Sequence, residues 1–385
     1  MKIIFIKAIS IILFILLLTG CSHNLPGTPF ASVKYVPPSD EAVIKLLEQH
    51  KGKTPEELID VALELTRKGR YKESYNISKI IILGNVQNVD IIADAYAFMG
   101  VNYMLIGGYE KAKHYIEKAL ALIDQFEHPS TAAAVQYNAG VIYYELGIRD
   151  DWKYAKEGIK YLEESLSYYI QYSDTRTSAR FACSYLHAFY LECPEFFDAE
   201  KAADYAHQTL AIDPLGVDWD STFYTVAMAY LTGGYWERAE EFVENYISRP
   251  PIREYFRYSL SLFYHTVKGD MEIAKRLADT MKRVEPFGNA PLLKTSRLSE
   301  YPKLAYYSEA IGDAEAAKEY YYEYVNSEGR FTNANAKFFV DAEKRLGMDF
   351  SEERARLMQQ IIDGRSISLE LAGVEDEAAI ALGFV

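Results

Sequence analysis

Residues Ala95–Leu122 read AYAFMGVNYMLIGGYEKAKHYIEKALAL. Tyr96, Met99, Gly100 and Tyr103 recur at spacings of three and four, and so do Ala112, Ile116 and Ala119. Each set therefore lines one face of an α-helix. Between them, Gly107-Gly108 interrupts the period, and glycine reaches the left-handed backbone that reversing a helix requires. The stretch is a helical hairpin. Gly100 and Ala112 lack bulk, so its two helices can approach closely.

The turn and second helix recur elsewhere. Gly69-Arg70-Tyr71 precedes Ser74, Gly234-Tyr235-Trp236 precedes Ala239, Gly269-Asp270-Met271 precedes Ala274, and Gly312-Asp313-Ala314 precedes Ala317. A third unit keeps Gly140, Tyr143 and Gly147, then inserts residues around Asp150-Asp151-Trp152. Pro214 and Pro286 close two units. This pattern resembles the tetratricopeptide repeat (TPR): aromatic, small residue, aromatic, turn glycine, alanine and terminal proline. The turn glycines at 69, 107, 147, 234, 269 and 312 step by 38, 40, 87, 35 and 43. The doubled step hides a divergent unit, with helices expected over Arg180–Leu191 and Asp198–Ile212. The steps average about 40, above the 34 usual for such repeats, which implies longer helices or loops.

The resemblance implies an all-α fold: a right-handed superhelical solenoid of stacked antiparallel helix pairs, about seven repeats plus C-terminal capping helices. The clear helix start is Thr54-Pro55-Glu56-Glu57, an N-cap, a proline in the first turn and a capping-box Glu. The repeat domain is expected over 40–330. Two capping helices, Asn333–Leu346 and Ser351–Asp363, fall within 331–365, and 366–385 forms an apolar-rich tail that packs on the last repeat or docks elsewhere.

The first twenty residues carry Lys2 and Lys7 around an apolar run that ends in Leu18-Thr19-Gly20-Cys21. This reads as a secretory leader, residues 1–20. The four residues resemble a bacterial lipobox, which implies lipid on Cys21. Ser22 in place of Asp favours the outer membrane by the same resemblance, and a Gram-positive source would leave the chain on the cytoplasmic membrane. Residues 21–39 hold Pro26, Gly27, Pro29, Pro37 and Pro38 without periodicity and read as a tether.

Composition narrows the function. The 385 residues carry a net charge of −14, and losing Lys2 and Lys7 with the leader makes it −16. Nucleic acid needs a basic face, so it is excluded as a partner. The acidic body also needs the lipid, not its own surface, to hold a membrane. With 49% apolar residues the chain has ample core. Tyrosine is unusually frequent, at 32 against 19 Phe and 3 Trp.

Catalytic motifs do not emerge. The seven His residues show no metal spacing, and His187, His207 and His265 fall on expected helices as packing or rim residues. Gly364-Arg365-Ser366-Ile367-Ser368 lacks the final glycine and preceding strand of a nucleophile elbow. No metal site, cofactor or catalytic residue is expected. Cys183 and Cys193, ten residues apart, would stand about 15 Å apart on one helix, beyond disulfide reach unless Pro194 bends the chain.

In tetratricopeptide arrays the first helix of each pair lines a concave groove for extended peptides or helices. Projecting that face selects Val101, Met104 and Leu105, then Tyr137, Asn138, Val141 and Tyr144, then Tyr224, Met228 and Leu231, then Phe263, Thr266 and Tyr306. Tyrosine suits such a lining because it joins a large contact area to a polar tip. The same aromatics could instead fill the tight inner curve. The resemblance implies a non-enzymatic, lipid-anchored envelope scaffold that binds a protein partner. The alternative is an accessory lipoprotein holding a small ligand for a transport system.

Overall fold

The computed structural model describes residues 40–84, 86–147, 152–172, 175–212, 219–248, 254–283, 301–326, 342–350 and 352. The leader, Cys21, the tether, Pro214, Pro286, Gly364–Ser368, most of the capping segment and the tail lie outside them.

Fifteen α-helices are named among the described residues. They are α1 (Asp40–Gln49), α2 (Pro55–Arg67), α3 (Tyr71–Leu83), α4 (Val89–Leu105), α5 (Tyr109–Leu120), α6 (Pro129–Gly147), α7 (Ala155–Tyr169) and α8 (Arg176–Glu192). Then follow α9 (Ala199–Ile212), α10 (Trp219–Thr232), α11 (Trp236–Ser248), α12 (Glu254–Lys268), α13 (Met271–Arg283), α14 (Tyr301–Ala310) and α15 (Ala314–Asn326). From α2 onward they pair into seven hairpins, including the divergent one, α8/α9, that the doubled glycine step implies. A further short helical segment covers 342–346.

A helix precedes the capping box that marks the clear helix start. The capping box at Thr54 is present: Thr54 Oγ1 accepts from the Glu57 amide and the Glu57 carboxylate accepts from the Thr54 amide. Yet α1 precedes it, burying Val43, Leu46 and Leu47 and packing on α3.

Five hairpins share one closing device. Gly69, Gly107, Gly234, Gly269 and Gly312 all take positive φ. The residue after each donates its amide to a carbonyl five positions back, as Gly108 does to Tyr103 at 2.8 Å and Tyr235 to Tyr230 at 2.8 Å. This Schellman-type bond satisfies a carbonyl that the helix end would otherwise strand.

Gly147 departs from its expected role. It is the last residue of α6 and is not left-handed; Trp152 takes that conformation instead, with φ 63°. The indole lies over Gly147, where a Cβ would stand 2.4 Å from the ring. Glycine is needed there for space, not for backbone freedom.

The small residues of the first helices set the packing distance. A Cβ on Gly100 would meet the Ala112 carbonyl oxygen at 3.0 Å, and one on Gly140 would meet Leu162 Cγ at 2.4 Å and the Gly158 oxygen at 3.0 Å. Across α2, α3 and α4 a buried polar knot fixes register. Thr66 Oγ1 and Ser74 Oγ lie 2.7 Å apart, Thr66 Oγ1 donates to Asn102 Oδ1 at 3.0 Å, and Asn102 Nδ2 donates to Ser74 Oγ at 2.9 Å.

The described chain divides into two compact units, residues 40–182 and 183–352, parting inside α8. In the first, the leading helices α2, α4 and α6 touch in succession, each also packed on its hairpin partner. In the second, α10, α12 and α14 do the same. This is nearest-neighbour stacking, in which no pair buries its apolar face alone. In the second unit the core joins Tyr224, Met228, Leu231, Phe263 and Tyr321 with Phe350 beyond the last hairpin.

Cys183 and Cys193 are buried and free. Burial pushes the Cys183 thiol up to about 12 and raises that of Cys193 as well.

Candidate functional site

The aromatic face expected to meet a partner is largely consumed by packing. In the first unit Val101, Met104 and Leu105 of α4 and Tyr137, Asn138, Val141 and Tyr144 of α6 are all buried. Tyr137 rests its ring against Tyr169, centroids 6.5 Å apart, and Tyr144 meets Trp152 at 5.8 Å. In the second unit Tyr224, Met228, Leu231, Phe263 and Thr266 are buried and Tyr306 is partly so. Phe263 stands edge-on to Tyr306 at 5.4 Å, and Tyr224 accepts a 2.8 Å hydrogen bond from the buried Lys303 ammonium. The physical reason is close packing: leading helices in direct contact bring these large rings together, and each ring gains more by shedding water against its neighbour than by facing solvent.

One polar residue on this face of α4 stays partly open. Asp94 lies seven residues before Val101, hence on the same side of α4, and keeps part of its surface exposed. One turn earlier, Asp90 is buried and accepts the amides of Glu127 and His128, each at 3.1 Å, which secures the approach to α6. Burial pushes the Asp94 carboxyl up to about 7, and the Asp90 charge adds to the shift. Asp94 is thus recessed: solvent reaches it, but the protein around it makes ionisation costly.

A further polar group interacts with Asp94. Tyr169, at the end of α7, is 3% exposed and its hydroxyl has no hydrogen-bond partner. Burial raises its pKa most, with Tyr168 next and then the Asp94 charge, so the carboxylate and the phenol share one local field. Elsewhere on α6, Asn138 is 6% exposed and its Oδ1 has no partner among the described residues. A stranded buried acceptor or donor costs about 1–3 kcal/mol.

The sequence reading selected Tyr137 and Asn138 but passed over Asp94 and Tyr169. The signal for Asp94 was available, since Asp94, Val101 and Leu105 share one helical face. Tyr169 had none, because only the return of α7 beside α6 brings it near.

The histidines serve packing. His187 Nδ1 meets the Ala202 carbonyl oxygen at 2.9 Å, His207 stands edge-on to Phe242, and His265 pairs with Asp270 at 3.1 Å. Among the described residues no group of three His, Cys, Asp or Glu is placed to hold a metal ion, and no helix is long and apolar enough to cross a membrane.

The fold is similar to that of solved helical-repeat proteins. It matches the apo form of the quorum sensor NprR from B. thuringiensis with a TM-score of 0.50 and 16% identity, over 74% of this chain and 81% of that one. A tetratricopeptide repeat protein from Parabacteroides merdae matches at 0.48 and 15% identity, over 80% and 98% of the two chains. PilF of Pseudomonas aeruginosa matches at 0.44 and 17%, over 64% and 97%. No family model and no curated protein matches the sequence. The architecture is a TPR-like array of helix pairs.

Proposed function

We propose that the chain is a lipid-anchored scaffold of the cell envelope that binds a segment of a partner protein on the leading-helix face of its first unit. The observation that carries the binding is the recess at Asp94. Asp94 keeps part of its surface exposed on a face whose aromatics are otherwise buried, so an incoming segment can reach it there. The stacked hairpins supply a rigid frame for such a site.

The anchor rests on Leu18-Thr19-Gly20-Cys21, and Ser22 favours the outer membrane. The tether between Cys21 and α1 would let the array reach about 60 Å from the bilayer when fully extended. Replacing Cys21 with Ala tests this directly. The full chain should move from the membrane pellet to the soluble fraction after cell disruption, and continued pelleting would refute lipid attachment. One observation also suits the alternative, a small-ligand-binding accessory lipoprotein: the unmet polar groups are few and recessed, as in a small-molecule site.

A further inference from the structure

Two trailing helices carry charges that no group of opposite sign answers among the described residues. On α5 of the first unit, Lys111, His114 and Lys118 are spaced at i, i+3 and i+7 and share one face. Lys111 is half-buried, with its ammonium 5.2 Å from the Tyr103 ring centroid. Lys118 is exposed over Tyr96 and Tyr115, at 5.5 and 5.6 Å, and the exposed His114 stands edge-on to Tyr115. None of the three meets a carboxylate there, whereas Lys113 is taken by Glu117 at 3.1 Å. Burial lowers the Lys111 pKa, and no acid opposes that shift. On α11 of the second unit, Glu237, Glu241 and Glu244 are exposed at i, i+4 and i+7, again on one face, and none meets a cation among the described residues. Their neighbours are engaged: Arg238 with Glu200 at 2.6 Å, and Glu240 with Tyr264 and Lys268.

The two stripes match in reverse order. Laid antiparallel, Lys111 falls opposite Glu244, His114 opposite Glu241 and Lys118 opposite Glu237. Seven residues span about 10.5 Å on either helix, so one register aligns all three pairs. The same register sets Glu117 opposite Arg238, and between 110–118 and 237–245 it opposes no two like charges. A parallel arrangement would instead bring His114 to Glu240, which Tyr264 and Lys268 already engage. Tyrosine rings hold both lysines in place, so less side-chain freedom is lost when carboxylates arrive. Bodies with a net charge of −14 repel one another, so a local patch of opposite sign decides which faces meet.

We infer that α5 of one copy docks antiparallel on α11 of a second copy of this chain. One stripe is cationic and the other acidic, so the contact is heterologous. Each copy offers α5 to one neighbour and α11 to another, which builds a chain or a ring. Exposed ion pairs are individually weak, so the contact is reversible and sensitive to salt.

The test is sedimentation velocity of the full chain in detergent at low salt, over a range of protein concentrations. Wild type should associate as concentration rises, and about 0.5 M NaCl should weaken this about tenfold. Lys111→Glu with Lys118→Glu makes both stripes acidic, and Glu237→Lys with Glu244→Lys makes both cationic. Each double variant alone should associate about tenfold more weakly than wild type, and an equal mixture of the two should recover wild-type association. Glu315→Lys with Glu319→Lys, at exposed acids of α15, shifts net charge equally and should leave association unchanged. Circular dichroism melts confirm that each variant is folded. For the register, Lys111→Cys mixed with Glu244→Cys should form an interchain disulfide faster than Lys111→Cys mixed with Glu237→Cys. Wild type that stays monomeric at low salt overturns the inference, as do reversals that associate like wild type or a mixture that fails to recover. Faster crosslinking to Glu237→Cys overturns the antiparallel docking.

Discussion

Gly140 offers the sharpest test of how the hairpins are seated. In Gly140→Ala the new Cβ would stand 2.4 Å from Leu162 Cγ, 2.9 Å from Leu162 Cδ2 and 3.0 Å from the Gly158 oxygen. Carbon atoms in contact prefer about 3.5–4.0 Å, so the nearest approach is short by more than about 1 Å. Leu162 is fully buried and Gly158 O is backbone, so neither can step aside cheaply. Overpacking of this kind costs about 1–3 kcal/mol, and the gain from replacing a helical glycine offsets about 0.5–1 kcal/mol. The net expectation is a loss of about 1 kcal/mol, local to α6 and α7. Native-state hydrogen exchange resolves this better than a global melt, because arrays open unit by unit. Amides of α6 and α7 should exchange roughly fivefold faster, since 1.4 kcal/mol is a factor of ten. Gly312→Ala is the companion. It has φ of +80° and nothing within 4 Å, so it should cost about 1 kcal/mol through backbone strain alone and affect only α14 and α15. If Gly140→Ala protects α6 as well as or better than wild type, the helices do not approach as described and the reasoning fails.

Other consequences can be checked in parallel. The Asp94 carboxyl should titrate near pH 7 by carbon NMR. Its folded pKa is raised above the unfolded value of about 3.9, so ionisation weakens the fold as pH climbs from about 4 to 7. Asp94→Asn should accordingly stabilise the chain above about pH 7 and lose that advantage near pH 4; the opposite trend would contradict the recess. Asn102→Ala strips two hydrogen bonds from the buried Thr66 and Ser74 hydroxyls and should cost about 2 kcal/mol in urea unfolding, where a loss below about 0.5 kcal/mol would show the knot to be idle. Cys183 and Cys193 should resist iodoacetamide in the folded chain near pH 8 and both react once it is unfolded without reductant; failure to react then would reveal a disulfide.

Fold and site were legible to different depths, and the particular residues show why. Turn glycines at 69, 107, 234, 269 and 312 punctuate a 3.6-residue period, and both signals are local: each hairpin closes on carbonyls five residues back. The seven-pair count follows from that spacing, even where α8 and α9 lack the marking glycine. Gly147 misled because the same residue type answers two needs, left-handed backbone and absence of a side chain. Only Trp152 folding back over it reveals which applies.

The sequence by itself determined what depends on near neighbours: helix faces, turns, the capping box at Thr54, and the lipobox-like run before the array. Tertiary structure alone decided which of the same-face residues stay open. Tyr137, Val141 and Tyr144 occupy positions that helical geometry cannot distinguish from a binding surface. They are core because α4, α6 and α7 converge on them and burial of their rings outweighs exposure. Asp94 and Tyr169 come from different helices, and no spacing along the chain encodes the electrostatic link between them. Burial against neighbours is a property of the stack, and it turns an aromatic stripe into packing.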